Sequence, residues 1–195
     1  MLSIPKLLSD DECALVRRLA EPCEGIRPGV ATGHAGQAKE LRFPQLPVWL
    51  AERLHSALQL AASSFGLPAG IELHTKFQKC APRVASYTVG TGFAWHADVH
   101  PGQRGQDGSN MDEKTWISCS VQLTPDSDYS GGDLAILPFT SRDVPPPALE
   151  RHLKFASREL GSATLFPSLH VHQVAEVERG QRQALVAWGT IDRRS

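Results

Sequence analysis

Residues 115–137 read TWISCSVQLTPDSDYSGGDLAIL. The stretch opens on an apolar, β-branched run through Trp116, Ile117, Val121 and Leu123, and closes on a second from Leu134 to Leu137. Between them Pro125, Asp126, Asp128 and Gly131-Gly132-Asp133 are turn formers. Short apolar runs bounded by such residues read as strands joined by turns. The same texture spreads outward from here, beginning near residue 71. RVASYTV and GFAWHADV lie upstream, and ATLFPS, HQVAEV and RQALVAWG lie downstream. Strands this short and this evenly spaced predict an all-β sandwich or barrel, of which the jelly roll is one form.

The first seventy residues have a different period. Ser9 or Asp10 can cap a helix running through DECALVRRLA, which sets Cys13, Leu15, Val16 and Leu19 on one side. PVWLAERLHSALQLAASSFG puts Trp49, Leu50, Leu54, Leu58 and Ala61 at helical spacing, with Gly66 as a stop. Both helices read as packing elements without chemistry, and residues 22–46, rich in Gly and Pro, read as irregular. The expected organisation is one domain over 1–195, with helical support from 1–70 and a jelly-roll core from 71–195. Residues 99–115, VHPGQRGQDGSNMDEKT, form a long polar loop with the character of a mobile lid or substrate loop. Residues 141–160 contain Pro145-Pro146-Pro147 and are expected to carry a short turn of helix.

Composition narrows the classes further. In 195 residues the formal net charge is -1, with 41% hydrophobic and 21% charged residues. Such a chain can bury a core, and its balance offers no global field toward nucleic acid or an anionic membrane. No apolar run is long enough to span a bilayer, and the N-terminus reaches SDDE too early for a secretory apolar region. Cys13, Cys23, Cys80 and Cys119 are scattered and form no CxxC pair, which predicts reduced thiols in the cytoplasm.

Chemistry enters at His96-Ala97-Asp98. Alternate residues of a strand share a face, so this imidazole and carboxylate can reach one metal. A second histidine from a later strand would complete a two-His-one-carboxylate triad, which leaves octahedral positions open as non-haem Fe(II) oxygenases require. Alone, a His-x-Asp is weak, because a chain with 8 histidines yields about 0.4 such pairs by chance. His170 and His172 both stand ready as the second histidine, in FPSLHVHQVAEVERGQRQALVAWG. Arg182 follows His172 by ten residues. An arginine inside a barrel is costly without a partner, and its planar fork suits a bidentate grip on a carboxylate.

Three segments together carry a family resemblance: SYTVGTGFAWHAD, SCSVQLTPDSDYSGGDLAI and GSATLFPSLHVHQVAEVERGQR. Over roughly residues 84–190 the chain resembles the Fe(II)/2-oxoglutarate dioxygenases, specifically the prolyl-4-hydroxylase-like branch and its bacterial relatives. The opening helix is similar to that family's FLSDEEC stretch, more loosely. The resemblance implies an α+β fold whose double-stranded β-helix (jelly roll) core carries N-terminal helices on one face. It implies His96, Asp98 and His172 as catalytic iron ligands, with His172 preferred to His170 for its spacing to Pro167 and Arg182. It implies Arg182 on the distal carboxylate of 2-oxoglutarate, with the Tyr87 hydroxyl helping to hold the same cosubstrate. It further implies Fe(II), 2-oxoglutarate and O2, with ascorbate as a further ligand, and conversion of 2-oxoglutarate to succinate and CO2 as a substrate is hydroxylated. Trp188 reads as a core residue near the site, and His100 as a loop histidine.

Two rivals fall outside this reading. A cupin-like metalloenzyme without 2-oxoglutarate would have no use for Arg182 and Tyr87, and a silent binding module would have none for the triad. Within the family, the nucleic-acid repair branch resembles R-x5-R after the second histidine, and here the residue six beyond Arg182 is Trp188. The expected substrate is therefore a peptide or protein, with a prolyl residue first. A free amino acid or small natural product is the alternative, and no nucleic acid or membrane partner is expected.

Overall fold

The computed structural model of the protein describes residues 1–22, 39–75, 81–99, 114–138 and 150–192. From the N-terminus the elements are β1 (Leu2–Ile4), α1 (Asp10–Leu19), β2 (Glu21–Pro22), β3 (Lys39–Arg42), α2 (Val48–Ser64) and β4 (Glu72–Leu73). The middle of the chain supplies β5 (Arg83–Thr88), β6 (Phe93–His96), β7 (Lys114–Gln122), β8 (Tyr129–Gly131) and β9 (Leu134–Leu137). β10 (Lys154–Phe155), β11 (Ala163–Pro167), β12 (Val171–Val174) and β13 (Val177–Asp192) complete it.

Local chemistry fixes both helices. Ser9 caps α1: its hydroxyl accepts the Glu12 N–H, and the Glu12 carboxylate accepts the Ser9 N–H at 2.8 Å. α2 ends at Phe65, and Gly66 follows with a φ of 70° that glycine adopts without strain. Arg53 of α2 donates to the Leu7 carbonyl at 2.6 Å and to the Glu12 carboxylate at 3.1 Å, which ties the helices to each other.

The strands pair antiparallel in two sheets. The larger runs β1-β11-β7-β13-β5-β3-β2, with β4 and β8 also on β13; the smaller runs β10-β9-β12-β6. The pleat of β13 explains the layers. Leu185, Ala187 and Ile191 face the helices and join Leu50, Leu54, Leu58 and Val16 in the main core. Their neighbours Arg182, Ala184 and Trp188 point to the opposite, inner face. The same alternation holds on β7, where Ile117, Cys119 and Val121 meet the helices while Trp116 and Ser118 turn inward, and on β5, where Val84 meets them while Ala85 and Tyr87 turn inward. The inner face of the large sheet therefore looks across a cleft toward the small one.

Several sequence expectations change. Residues 1–70 supply strands as well as helices: β1 pairs with β11, and β3, within the stretch read as irregular, pairs with β5. HQVAEV does not form one strand; β12 stops at Val174 and β13 begins at Val177. β13 runs through Arg179-Gly180 with a register shift and a Gly180 φ of 74°. A Cβ at Gly180 would lie 2.0 Å from the Asp128 carbonyl oxygen, so glycine lets β8 approach. Residues 100–113 of the loop 99–115, including His100, lie outside the described residues, as do 141–149 of the Pro145 segment, whose described part carries the expected short turn as a 3-10 helix at Glu150–His152.

The core makes a stability prediction. Leu185 is fully buried between β13 and the helices. Leu185→Ala should cost about 2–5 kcal/mol, read as a lower urea midpoint at an unchanged slope. A loss below about 1 kcal/mol would mean that this contact does not anchor the sheet to the helices.

Candidate functional site

His96 is the last residue of β6 and pairs in register with His172 of β12. The pleat aims both rings from the small sheet into the cleft, with centroids 4.2 Å apart. Each ring is turned by a carbonyl two residues earlier in its own chain. Nδ1 of His96 lies 2.8 Å from the Ala94 oxygen, and Nδ1 of His172 lies 3.0 Å from the His170 oxygen. A carbonyl only accepts, so Nδ1 carries the proton in both rings, and in the neutral tautomer the lone pair is on Nε2. Phe166 of β11 meets the His172 ring edge-on at 4.9 Å.

Asp98 comes from just beyond β6, so the shared strand face expected for His-x-Asp is replaced by a different anchor. Its backbone N–H donates to the Ser168 carbonyl at 3.1 Å, which curls the chain so that the carboxylate turns to the histidines. Oδ1 then stands 3.6 Å from Nε2 of His96 and 3.7 Å from Nε2 of His172. The donor atoms of His96, Asp98 and His172 all lie within 4.8 Å of one another, and His170 is not part of the group.

The other oxygen, Oδ2, has its own partners. The Ser118 hydroxyl donates to it, and so does the Trp188 indole N–H at 2.8 Å. Ser118 also sits 2.7 Å from the Ser168 hydroxyl. Ser118 pairs in register with Trp188 on β13 and with Phe166 on β11. One row across three strands thus supports both the carboxylate and a histidine ring. Burial pushes the Asp98 carboxyl up, but the two histidines and the Ser118 bond outweigh it and hold it well below its ordinary range. Burial lowers His172, and neighbouring His96 adds to this, so its ring is neutral at neutral pH despite the pull of Asp98. An ionised carboxylate and a neutral imidazole are the protonation states a metal ligand needs.

Arg182 and Tyr87 are register partners on β13 and β5. Both are buried, and the guanidinium carbon lies 5.5 Å from the Tyr87 ring centre. Among the described residues no oxygen accepts a hydrogen bond from Arg182 and no acid pairs with it. Gly132, at a φ of 66°, makes the room: a Cβ there would stand 3.1 Å from Cδ of Arg182. A buried cation with no acid set against it among the described residues is costly, which makes the position suited to an anionic group.

These residues fit the group the triad calls for. Two imidazoles and one carboxylate form a borderline-hard donor set that leaves positions open. The model for the 2OG-Fe(II) oxygenase superfamily matches residues 82–190, more than half of the chain. The chain belongs to this superfamily. A PKHD-type hydroxylase of Janthinobacterium sp. (strain Marseille) is 27% identical over 189 residues, spanning 96% of this chain and 77% of that protein. Another from Caulobacter sp. (strain K31) is 29% identical over 190 residues, with the same coverage. Among solved structures, a viral collagen prolyl hydroxylase from Paramecium Bursaria Chlorella virus-1, in complex with 2OG, shares the fold at a TM-score of 0.62 and 15% identity, covering 97% of this chain and 94% of that one. A Pseudomonas putida prolyl-4-hydroxylase does so at a TM-score of 0.56 and 18% identity, covering 98% and 92%. The double-stranded β-helix, the hydroxylase class and the use of Fe(II) and 2-oxoglutarate follow from this membership.

Sequence reading missed Ser118 and Ser168, and took Trp188 as a core residue. Trp188 is buried, yet its N–H has a specific acceptor. The signal available was the inward alternation Trp116, Ser118, Ser120 on a strand whose outward residues are apolar: a small polar residue facing inward needs a partner. For a metal ligated by Asp98, Trp188→Phe, which keeps the ring and removes the N–H, should weaken Fe(II) binding about 10- to 100-fold. Ser118→Ala should act in the same direction. Anaerobic calorimetric titration with Fe(II) measures both, and parental affinity in both variants would show that Asp98 is held by other means.

Proposed function

We propose that His96, Asp98 and His172 ligate Fe(II), that Arg182 grips the distal carboxylate of 2-oxoglutarate, and that Tyr87 borders the same pocket. The observation that carries this reading is Arg182, a buried guanidinium in the same cleft as the triad, with no acid set against it among the described residues. It favours 2-oxoglutarate over a cupin-like chemistry that would leave the cation without a role. Bound here, iron and 2-oxoglutarate supply oxidative decarboxylation to succinate and CO2, coupled to hydroxylation by O2. The chain's own part is to orient. The carbonyls of Ala94 and His170 set the two rings, Ser118 and Trp188 set the carboxylate, and Arg182 sets the far end of the cosubstrate.

For substrate, we place a peptide or protein first, with a prolyl residue as the acceptor. The support is the likeness to hydroxylases of the PKHD type and the prolyl hydroxylase fold. A free amino acid or small natural product is the second reading. We also place the protein in the cytoplasm. Cys13 and Cys119 are buried free thiols, pushed up by burial to about 11 and about 12, and unreactive thiols of this kind suit a reducing compartment. Nucleic acid has no support in the charge balance. Among the described residues no helix is long and apolar enough to cross a membrane. Ascorbate, in this reading, serves only to keep the iron reduced.

Iron-dependent succinate release, screened with proline-containing peptides and free amino acids, tests the class of substrate. Arg182→Ala tests the pocket. Removing one partner of a buried charge pair costs about 2–5 kcal/mol. That corresponds to about 30- to 4000-fold in the apparent constant for 2-oxoglutarate, with Fe(II) affinity nearly unchanged. Arg182→Lys should be milder, since it keeps the charge and loses the fork. Arg179 is exposed and touches only the Ser127 carbonyl among the described residues, so Arg179→Ala is the control. Parental 2-oxoglutarate binding in Arg182→Ala, or a larger loss in Arg179→Ala, would remove Arg182 from the pocket.

A further inference from the structure

Arg158 lies on the link between β10 and β11, and its side chain closes on a single turn. The guanidinium donates to the Gly131 carbonyl at 2.9 Å, to the Asp133 carboxylate at 2.7 Å and to the Tyr129 carbonyl at 3.4 Å. Its carbon stands 4.3 Å from the centre of the Tyr129 ring. The turn it grips joins β8 to β9, and those two strands do not pair with each other. β8 lies on β13 in the large sheet, whereas β9 lies between β10 and β12 in the small one. Gly131 and Gly132 make the crossing, with φ values of 69° and 66°.

Two consecutive left-handed glycines are a weakly restrained link, and in a hairpin the flanking ladder would hold them. This crossing has no such ladder. Its far side is held by β12 and β13: the Gly132 N–H donates to the Glu176 carbonyl at 3.0 Å, and the Asp133 carbonyl accepts the Ala175 N–H at 2.9 Å. Arg158 holds the carbonyls of Tyr129 and Gly131. The crossing is in turn one wall of the Arg182 position. A Cβ on Gly132 would stand 3.1 Å from Cδ of Arg182 and 3.5 Å from Cε2 of Tyr129. At that separation a shift of the turn displaces the Arg182 stem, because close-packed neighbours transmit strain. A long side chain also loses rotamer freedom when it binds, and a fixed wall takes that loss before the ligand arrives. Asp133 neutralises Arg158, so the contribution of Arg158 is mechanical and not that of a second cation for the cosubstrate. The geometry points to Arg158 as a positioning residue for the cosubstrate: it fixes the Gly131-Gly132 crossing, and through it the Arg182 stem, so that the guanidinium is set in advance for the distal carboxylate. This inference rests on the oxygenase reading of the site.

The test uses the protein loaded with Fe(II) under anaerobic conditions, with calorimetric titration of two 2-oxo acids. 2-Oxoglutarate carries the distal carboxylate and 2-oxobutyrate lacks it, so the ratio of their affinities reads the grip of Arg182. In Arg158→Met the affinity for 2-oxoglutarate should fall about 3- to 30-fold, the range for residues that act on a site through their neighbours. Binding of 2-oxobutyrate and of Fe(II) should stay near parental values, which a general loss of structure would not allow. Arg158→Lys keeps the charge and loses the fork, so it should lose nearly as much. Parental affinity in Arg158→Lys would assign the effect to charge and overturn the proposal. In an Arg182→Ala background Arg158→Met should have little further effect, because both act on one contact. Additive losses overturn the proposal, as does a parental ratio in Arg158→Met. Should Arg158→Met fail to fold, Asp133→Asn, which weakens the clamp and keeps its backbone contacts, should lower the ratio in the same direction, and a parental ratio there overturns the proposal. The parent protein and Arg182→Ala keep the two readings apart. A parent without preference for 2-oxoglutarate overturns the oxygenase reading beneath. A preference that Arg182→Ala abolishes and Arg158→Met retains overturns the role of Arg158 alone.

Discussion

Strand β13 has to satisfy two environments at once, and most of the structure follows from how it does so. One side of its pleat carries Leu185, Ala187 and Ile191 into the helix-covered core. The other side carries Arg182, Ala184 and Trp188 into the cleft. A slip of one residue in register would exchange the sets, burying a guanidinium and an indole N–H among leucines and turning the apolar side chains to the cleft. The penalty for that exchange makes the register of β13 against β5 and β7 nearly obligatory. Once it is set, Tyr87 falls beside Arg182 and Ser118 beside Trp188 without further instruction. The functional pairs are consequences of the pairing that builds the core.

The same dependence decides what could be read from the sequence. The helices were legible because capping chemistry and helical period are local: Ser9 with Glu12, and the leucines of α2 closed by Gly66. The strands of the second half were legible from composition and turn residues. His96, Asp98, His172 and Arg182 stood out because charged and imidazole groups on short apolar strands are anomalous unless they have a task, and the family resemblance supplied that task. What escaped depends on contacts between distant segments. Ser118 and Asp98 are twenty residues apart in sequence and meet only in the folded chain. Trp188 and Asp98 are separated by ninety. β3 was unreadable for a related reason: KELR has neither an apolar run nor a clean alternation, and it is a strand because β5 offers it an edge. The end of β6 at His96 illustrates the limit from the other side. The i, i+2 argument correctly paired His96 with Asp98, although the bond from the Asp98 N–H to Ser168, not a shared strand face, brings them together.

The donors chosen for Asp98 carry their own logic. A carboxylate beside a metal must keep its negative charge and must not wander between one- and two-point ligation. An arginine or lysine on Oδ2 would fix the orientation firmly, but it would neutralise the charge that a metal requires and compete with it. A serine hydroxyl and an indole N–H fix the orientation without cancelling the charge. With Oδ2 occupied, Oδ1 is the oxygen left toward the two imidazoles. The rings are constrained in the same spirit, since each Nδ1 is spent on the carbonyl two residues earlier in the chain and Nε2 faces inward. Each of the three side chains therefore offers a single atom. A metal held at these three points would leave positions open for a cosubstrate and for oxygen. On this view neutral hydrogen-bond donors around Asp98 are a condition of the chemistry, because they define how few positions the protein takes and so how many it leaves.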